Sequence, residues 1–154
     1  MHILIIPSWY KSITEPVLGT FFEEQARALM SAGHKVGIIY PQFSSVSSMF
    51  NKKDEIIDFY DDNGLPTYSV IHQAIIPKMR KLAYKMFSEN VEKIYYNYVK
   101  KYGKPDLLHA HSVFHGGMAG YYIAKDNNLP FIITDRLTAY ITGGIALQED
   151  MEAD

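Results

Sequence analysis

The sequence has no cysteine among its 154 residues. Disulfides and thiolate metal sites are therefore excluded, and the absence is compatible with a reducing compartment. It also has no charge imbalance, since 15 Lys and Arg stand against 17 Asp and Glu, a formal net charge of −2. No global field draws nucleic acid to such a chain, so no nucleic-acid partner is expected. Long hydrophobic runs are missing too. The opening "MHILIIPSWY" has no basic leading region and an apolar run of only about four residues, which predicts neither a signal peptide nor a membrane span. No later segment reaches the roughly 18 apolar residues of a spanning helix. Neither an internal repeat nor a low-complexity tract is visible. What is present is ordinary for a globular protein: 47% hydrophobic and 21% charged residues, with a high aromatic share of 14% that includes 12 Tyr. The length suffices for one domain with a real core, and residues 1–154 are read as a single domain.

The apolar pattern predicts alternating strands and helices. "HILIIP" is short, Ile-rich and suited to a strand buried on both faces. The stretch from Ser8 to Gly19 has no period and reads as a loop. Thr20 and Glu23 form a capping-box pattern at the start of a helix whose Phe22, Gln25, Ala26 and Leu29 share a face. Gly33 suits the left-handed position after the helix end. "KVGIIYP" is the next buried strand, closed by Pro41, and completes a βαβ unit. "EIIDFYDDNGLPTYSVIHQ" carries a turn signal between two strand-like runs and predicts a hairpin or strand pair. A long helix is expected from Lys78 to Tyr102, after Pro77 and before Gly103 and Pro105. "DLLHAH" and "FIIT" are further strands, and "SVFHGGMAGYYIAKDNN" between them is a helix rich in small residues, stopped by Asn127, Asn128 and Pro130. The alternation predicts a doubly wound, mainly parallel α/β sheet flanked by helices.

In such sheets ligands bind beyond the carboxyl ends of the strands. The loop after Ile6, the stretch after Leu108 and the residues after Ile133 should therefore meet at one edge. Gly19 lets a backbone approach closely, and the helix N-terminus at Thr20 offers N–H groups to a phosphate or a sugar hydroxyl, although both residues also make sense as turn and cap alone. Trp9 and Tyr10 can stack on a sugar ring or plug the loop onto the core. Three of the six histidines fall within "HAHSVFH". His109 and His111 point to the same strand face. His109, the deeper one, reads as a hydrogen-bonded packing residue; His111, at the strand end, reads as ligand-facing and able to titrate near neutrality. Ser112 suits a helix cap and a ligand contact equally, and His115 reads as a first-turn or surface residue. Gly116, Gly117 and Gly120 would let the helix pack closely on the sheet. Asp135, Arg136 and Thr138 follow the last strand; Arg136 can clamp a phosphate or carboxylate, or pair with Asp135. A metal site is not expected, because His2, His34 and His72 are placed away from this edge and Asp135 is the one nearby carboxylate. A serine hydrolase lacks its G-x-S-x-G elbow. The basic face of the long helix (Lys78, Arg80, Lys81, Lys85, Lys93, Lys100, Lys101) reads as a solvated face, with peripheral contact to an anionic membrane as the alternative.

With these residues in view, "MHILIIPSWY…PVLGTFFEEQARALMSAGHKVGIIYP" and "PDLLHAHSVFHGGMAGYYIAKDNNLPFIIT" together resemble the N-terminal half of family 4 glycosyltransferases of GT-B fold. The resemblance spans nearly the whole chain and is poorest from Gln42 to Gln73. It implies a Rossmann-like N-terminal domain that binds the acceptor, a glycan or a lipid-linked sugar. A second, C-terminal domain, absent from this chain, would hold the nucleotide-sugar donor. It further implies hexosyl transfer with retention, no metal and no cofactor beyond the donor, in polysaccharide biosynthesis at the cytoplasmic side. Residue by residue, Gly19 and Thr20 match the glycine-containing loop that faces donor phosphates and acceptor, and His111 matches the second histidine of the H-x-H segment facing the reacting sugar. The family often has T-E-H where this chain reads Thr134-Asp135-Arg136, so no family role carries over to position 136. The chain alone is expected to be inactive, for want of the donor-binding carboxylates. Competing readings are a non-catalytic glycan- or nucleotide-binding module on the same strand edge and a metal-dependent hydrolase using the histidines.

Overall fold

A computed structural model describes residues 1–11, 16–43, 55–62, 64–72 and 80–135. Strand β1 (His2–Pro7) is buried along its whole length, as its unbroken apolar run requires. Its side chains divide by alternation between two cores. Ile3 and Ile5 meet Phe22 and Ala26 of helix α1 (Thr20–Ser31), together with Val36 and Ile38 of strand β2 (Lys35–Phe43). Leu4 and Ile6 meet the other layer: Phe87, Val91, Ile94, Tyr95 and Tyr98 of helix α2 (Arg80–Tyr102), and Ala119, Ile123 and Ala124 of helix α3 (Met118–Asn127). Each of these β1 side chains contributes roughly 1.5–3 kcal/mol over the exposed state.

The sheet order is β3-β4-β2-β1-β5-β6, with β3 at Glu55–Asp62, β4 at Leu65–His72, β5 at Leu107–His111 and β6 at Phe131–Thr134. Five strands are parallel, and β3 runs antiparallel at the edge as the partner of β4. The expected doubly wound Rossmann-like sheet and the strand pair from 55 to 72 are both observed. The chain goes from β1 through α1 to β2 on one side, then returns from β4 through α2 to β5 on the other side of β1. Strand order reverses between β1 and β5, which makes their carboxyl ends the switch point of the fold.

Some local expectations need correction. The N-cap of α1 is Gly19 at φ +73, with no side-chain cap bond, so Thr20 and Glu23 do not form a capping box. Glu23 is engaged instead by Lys11 Nζ at 2.6 Å and Arg27 Nη2 at 2.7 Å. The end of α1 follows the expected glycine pattern: Gly33 N–H donates to the Met30 carbonyl (2.9 Å) and His34 N–H to the Leu29 carbonyl (3.1 Å), a Schellman closure. Strand β2 continues through Pro41 to Phe43 rather than closing there. Pro41 lies beyond the last β1–β2 pair, Ile5↔Ile38, where one side of β2 carries no ladder and a missing N–H costs least. His72 stands at the carboxyl end of β4, so it shares the sheet edge from which it was excluded, two strands away from β1. Pro77 and Lys78 lie outside the described residues. Along α2 Phe87, Val91, Ile94, Tyr95 and Tyr98 are buried and Leu82 is exposed, while Lys85 and Glu89 pair loosely at 3.8 Å on the solvated side.

Candidate functional site at the carboxyl edge

Register places the ends of three neighbouring strands in one row: Pro7 opposite His111, and His111 opposite Thr134. The three segments expected to converge do so. Just beyond the row lie Ser8, Ser112 and Asp135. Gly19 and the first turn of α1 close the edge from the β1 side.

The two strand histidines share a face, with ring centroids 4.3 Å apart. His109 is a buried packing residue whose Nε2 lies 2.8 Å from Thr134 Oγ1. His111 is deeper than its strand-end position implies. The residue is 1% exposed, and its ring centroid lies 4.6 Å from that of Phe22. A ligand therefore reaches the His111 backbone and its neighbours more directly than its imidazole. Trp9 is half-buried against Phe21 (6.5 Å) and Phe22 (5.5 Å). Tyr10 is 2% exposed and plugs the loop onto the core, the packing alternative of the two considered for it.

Gly19 needs its lack of a side chain twice over. Its φ is +73, and a Cβ would stand 3.0 Å from Phe22 Cδ2 and 3.2 Å from the Trp9 carbonyl. In the first turn of α1 the Phe22 N–H donates to the Gly19 carbonyl at 3.0 Å, and the preceding N–H groups of a helix start have no intrahelical acceptor.

The segment after β5 departs most from expectation. It is not the start of a regular helix. Residues Val113–Gly117 form a kinked, non-helical turn, with Phe114 extended (φ −71, ψ 149) and His115 at positive φ (φ 57, ψ −83), and α3 begins only at Met118. Ser112 adopts φ 70, ψ 141 and makes no side-chain cap bond. Its carbonyl accepts from Gly117 N–H at 2.9 Å and its N–H donates to the Thr134 carbonyl at 2.9 Å. Left-handed conformations at such non-glycine residues cost on the order of 1–3 kcal/mol each and persist only where surroundings enforce them. His115, read from sequence as a first-turn or surface residue, is half-buried between Tyr84 (4.5 Å) and Phe87 (5.2 Å) of α2. Burial holds its pKa below the usual histidine value. The three glycines do permit close packing: a Cβ at Gly116 would lie 2.6 Å from the Ile6 carbonyl, one at Gly117 2.7 Å from the Ser112 carbonyl, and one at Gly120 2.7 Å from the Phe131 ring.

Sequence reasoning passed over Ser8. Its hydroxyl lies 2.7 Å from the His111 carbonyl, is also in contact with the Phe114 carbonyl, and accepts from Gly116 N–H at 2.9 Å. The available signal was its place directly after a strand end. Lys11, Glu23 and Arg27 were passed over as well, although Glu23 and Arg27 stand at helical i,i+4 spacing. They tie the loop after β1 to α1. Asp135 is exposed and accepts from Val113 N–H at 3.2 Å. Arg136 and Thr138 lie outside the described residues.

Among the described residues, no three His, Asp or Glu side chains are grouped to hold a metal ion. No described helix is long and apolar enough to cross a membrane. A groove of about 490 Å³ lies elsewhere, between α2 and α3, bordered by Tyr84, Glu92, Tyr96, Met118, Tyr122 and Asp126. It lies in the helical layer and shares Tyr84 with the turn after β5, where that ring packs 4.5 Å from His115. The edge itself offers backbone N–H groups, hydroxyls, a carboxylate and the Lys11–Glu23–Arg27 cluster. That set suits the binding and orientation of a polar ligand.

Comparison with known proteins adds one fact to this geometry. Over 146 residues, 87% of this chain, the sequence is 26% identical to the Bacillus subtilis (strain 168) protein named "Putative teichuronic acid biosynthesis glycosyltransferase TuaC". The chain is distantly related to a glycosyltransferase. It spans 36% of that relative's length. No family model matches the chain.

Proposed function

We propose that this chain is the acceptor-side, N-terminal Rossmann-like domain of a retaining GT-B glycosyltransferase of family 4. In this reading the whole enzyme moves a hexosyl group from a nucleotide sugar to a glycan or lipid-linked acceptor in polysaccharide biosynthesis at the cytoplasmic side, with no metal. The observation that carries it is the row of strand ends at the switch point, where Gly19, Thr20, His111, Ser112 and Asp135 gather, in a chain distantly related to a glycosyltransferase. Gly19 and the first turn of α1 would admit the donor phosphates. Asp135, exposed at the edge, would receive an acceptor hydroxyl, and the backbone of His111 and of the buried Ser112 would line the cleft facing the reacting sugar. Arg136, next in sequence to Asp135, would supply a cation for a phosphate or carboxylate, and Trp9, half-buried at the loop, is the remaining aromatic for a sugar face. Peripheral contact of the basic side of α2 with an anionic membrane fits a lipid-linked acceptor. A second domain would supply most of the donor site.

The test is a titration of ¹⁵N-labelled protein with UDP-glucose, UDP-N-acetylglucosamine and UDP-glucuronic acid, followed by amide shifts and by sugar release. The expected result is weak binding with shifts at Gly19, Thr20, His111 and Ser112, and no turnover. Shifts confined to other surfaces would sink the site assignment. Sugar transfer by these 154 residues alone would sink the division of labour between domains.

A further inference from the structure

The turn between β5 and α3 is held in a shape its own residues do not favour. Ser112 and His115 both have positive φ, and neither is a glycine. Two neighbouring strand ends grip it. From the β6 side, the Thr134 carbonyl accepts Ser112 N–H and Asp135 Oδ2 accepts Val113 N–H. From the β1 side the grip is one hydroxyl. Ser8 Oγ takes the Gly116 N–H and lies within reach of the His111 and Phe114 carbonyls. A hydroxyl carries one proton, so it serves one of the two carbonyls at a time while accepting from Gly116 throughout. The same three backbone groups bracket the strained part of the turn: His111 before it, Phe114 within it, Gly116 after it. The absence of a side chain at Gly116 is what lets Ser8 come so close, since a Cβ there would stand 3.0 Å from Ser8 Oγ.

We propose that Ser8 is a positioning residue for the carboxyl-edge site, its hydroxyl holding the turn from Ser112 to Gly117 in its left-handed form and thereby fixing the backbone that carries His111 and Ser112 to the cleft. The proposal rests on the glycosyltransferase reading for what the cleft binds, but not for the clamp itself. Without the hydroxyl, the turn relaxes toward favoured backbone angles. Relaxation pulls the His115 ring out from between Tyr84 and Phe87 and shifts the Ser112 backbone. Glycine populates positive φ without penalty, so replacing Ser112 with glycine removes much of the tendency to relax.

The experiment is a double-mutant cycle of Ser8→Ala and Ser112→Gly on the whole 154-residue chain, read by thermal unfolding and by NMR titration of the His115 imidazole. In Ser8→Ala the His115 midpoint is expected to rise toward that of an ordinary histidine. In the double variant it returns toward its low starting position, and the loss in Tm caused by Ser8→Ala is smaller in the Ser112→Gly background than in the wild type. A lowered Tm with an unmoved His115 midpoint would overturn the proposal, since it would make Ser8 an ordinary hydrogen bond of the fold. If Ser8→Ala does not fold, recovery of folding in the double variant supports the clamp, and equal failure of both overturns it. A nucleotide-sugar titration separates the two readings. Loss of shifts at His111 and Ser112 in Ser8→Ala, with those at Gly19 and Thr20 retained, supports positioning. No response in the wild type counts against the functional reading alone and leaves the clamp to be decided by His115.

Discussion

A single methyl group at Gly116 tests how tightly the edge site is built. The Cβ of Gly116→Ala would lie 2.6 Å from the Ile6 carbonyl, 3.0 Å from Ser8 Oγ and 3.1 Å from the His111 carbonyl. Two of those three atoms are backbone of β1 and β5, the centre of the sheet, and neither can turn aside as a flexible side chain can. The turn must lift away. In doing so it gives up the Gly116–Ser8 bond and loosens Gly120 from the Phe131 ring, where clearance is already small. Overpacking a tight site costs about 1–3 kcal/mol, and a backbone obstacle argues for the upper end. For a domain of this size about 3 kcal/mol corresponds to a fall in Tm of roughly 6–12 °C. Gly33→Ala is the matched control. Gly33 has φ +85 but nothing within 4 Å of a built Cβ, so it pays conformational strain alone, about 1 kcal/mol. Thermal and urea unfolding followed by circular dichroism would measure both. The reasoning is refuted if Gly116→Ala costs no more than Gly33→Ala, because the turn would then have room that the geometry denies it.

Three further outcomes follow from the same geometry. Ser112→Gly alone should stabilise the protein by roughly 0.5–1 kcal/mol, because relief of the left-handed strain exceeds the extra unfolded-state entropy of glycine; an equal or larger loss in urea unfolding would show that the buried Ser112 side chain matters more than its backbone. Stability should fall on acidification below about pH 6.5, the ordinary histidine value. His115 is depressed by burial, and His2 by burial and then by Lys35, so the unfolded chain takes up protons first; the contribution is complete above that value and is lost as pH falls toward the lower folded-state values. In melts from pH 7.5 to 5.5, His115→Asn, which keeps a residue tolerant of positive φ, should flatten part of that slope, and an unchanged slope would remove His115 from the account. Removing the carboxylate by Glu23→Gln should release Lys11 and Arg27 together at a cost of about 1 kcal/mol and quicken amide exchange in the loop after β1; unaltered exchange there would mean that the cluster does not tether the loop.

The sequence by itself determined the layers of this protein. An unbroken apolar run made β1 a central strand, alternation of strand and helix patterns made the sheet parallel and doubly wound, and Gly33 marked the end of α1. Parallel topology in turn brought Pro7, His111 and Thr134 to one edge, so the location of the candidate site was legible as well. Those features depend on local periodicity and on chain direction, both of which are written into short stretches of residues. Only the tertiary structure decided the state of each side chain at that edge. Tyr10 went into the core, His111 went beneath Phe22, and Thr20 and Glu23 gave up a capping box that their spacing allows. The turn after β5 shows the reason most clearly. Local propensity favours a regular helix from Ser112, yet the chain takes a kinked turn with positive φ at Ser112 and His115, because Ser8 reaches the groups that shape it from positions 103 to 108 residues away. Interactions over that separation exist only once β1 and β5 lie side by side, and no pattern within the stretch itself encodes them.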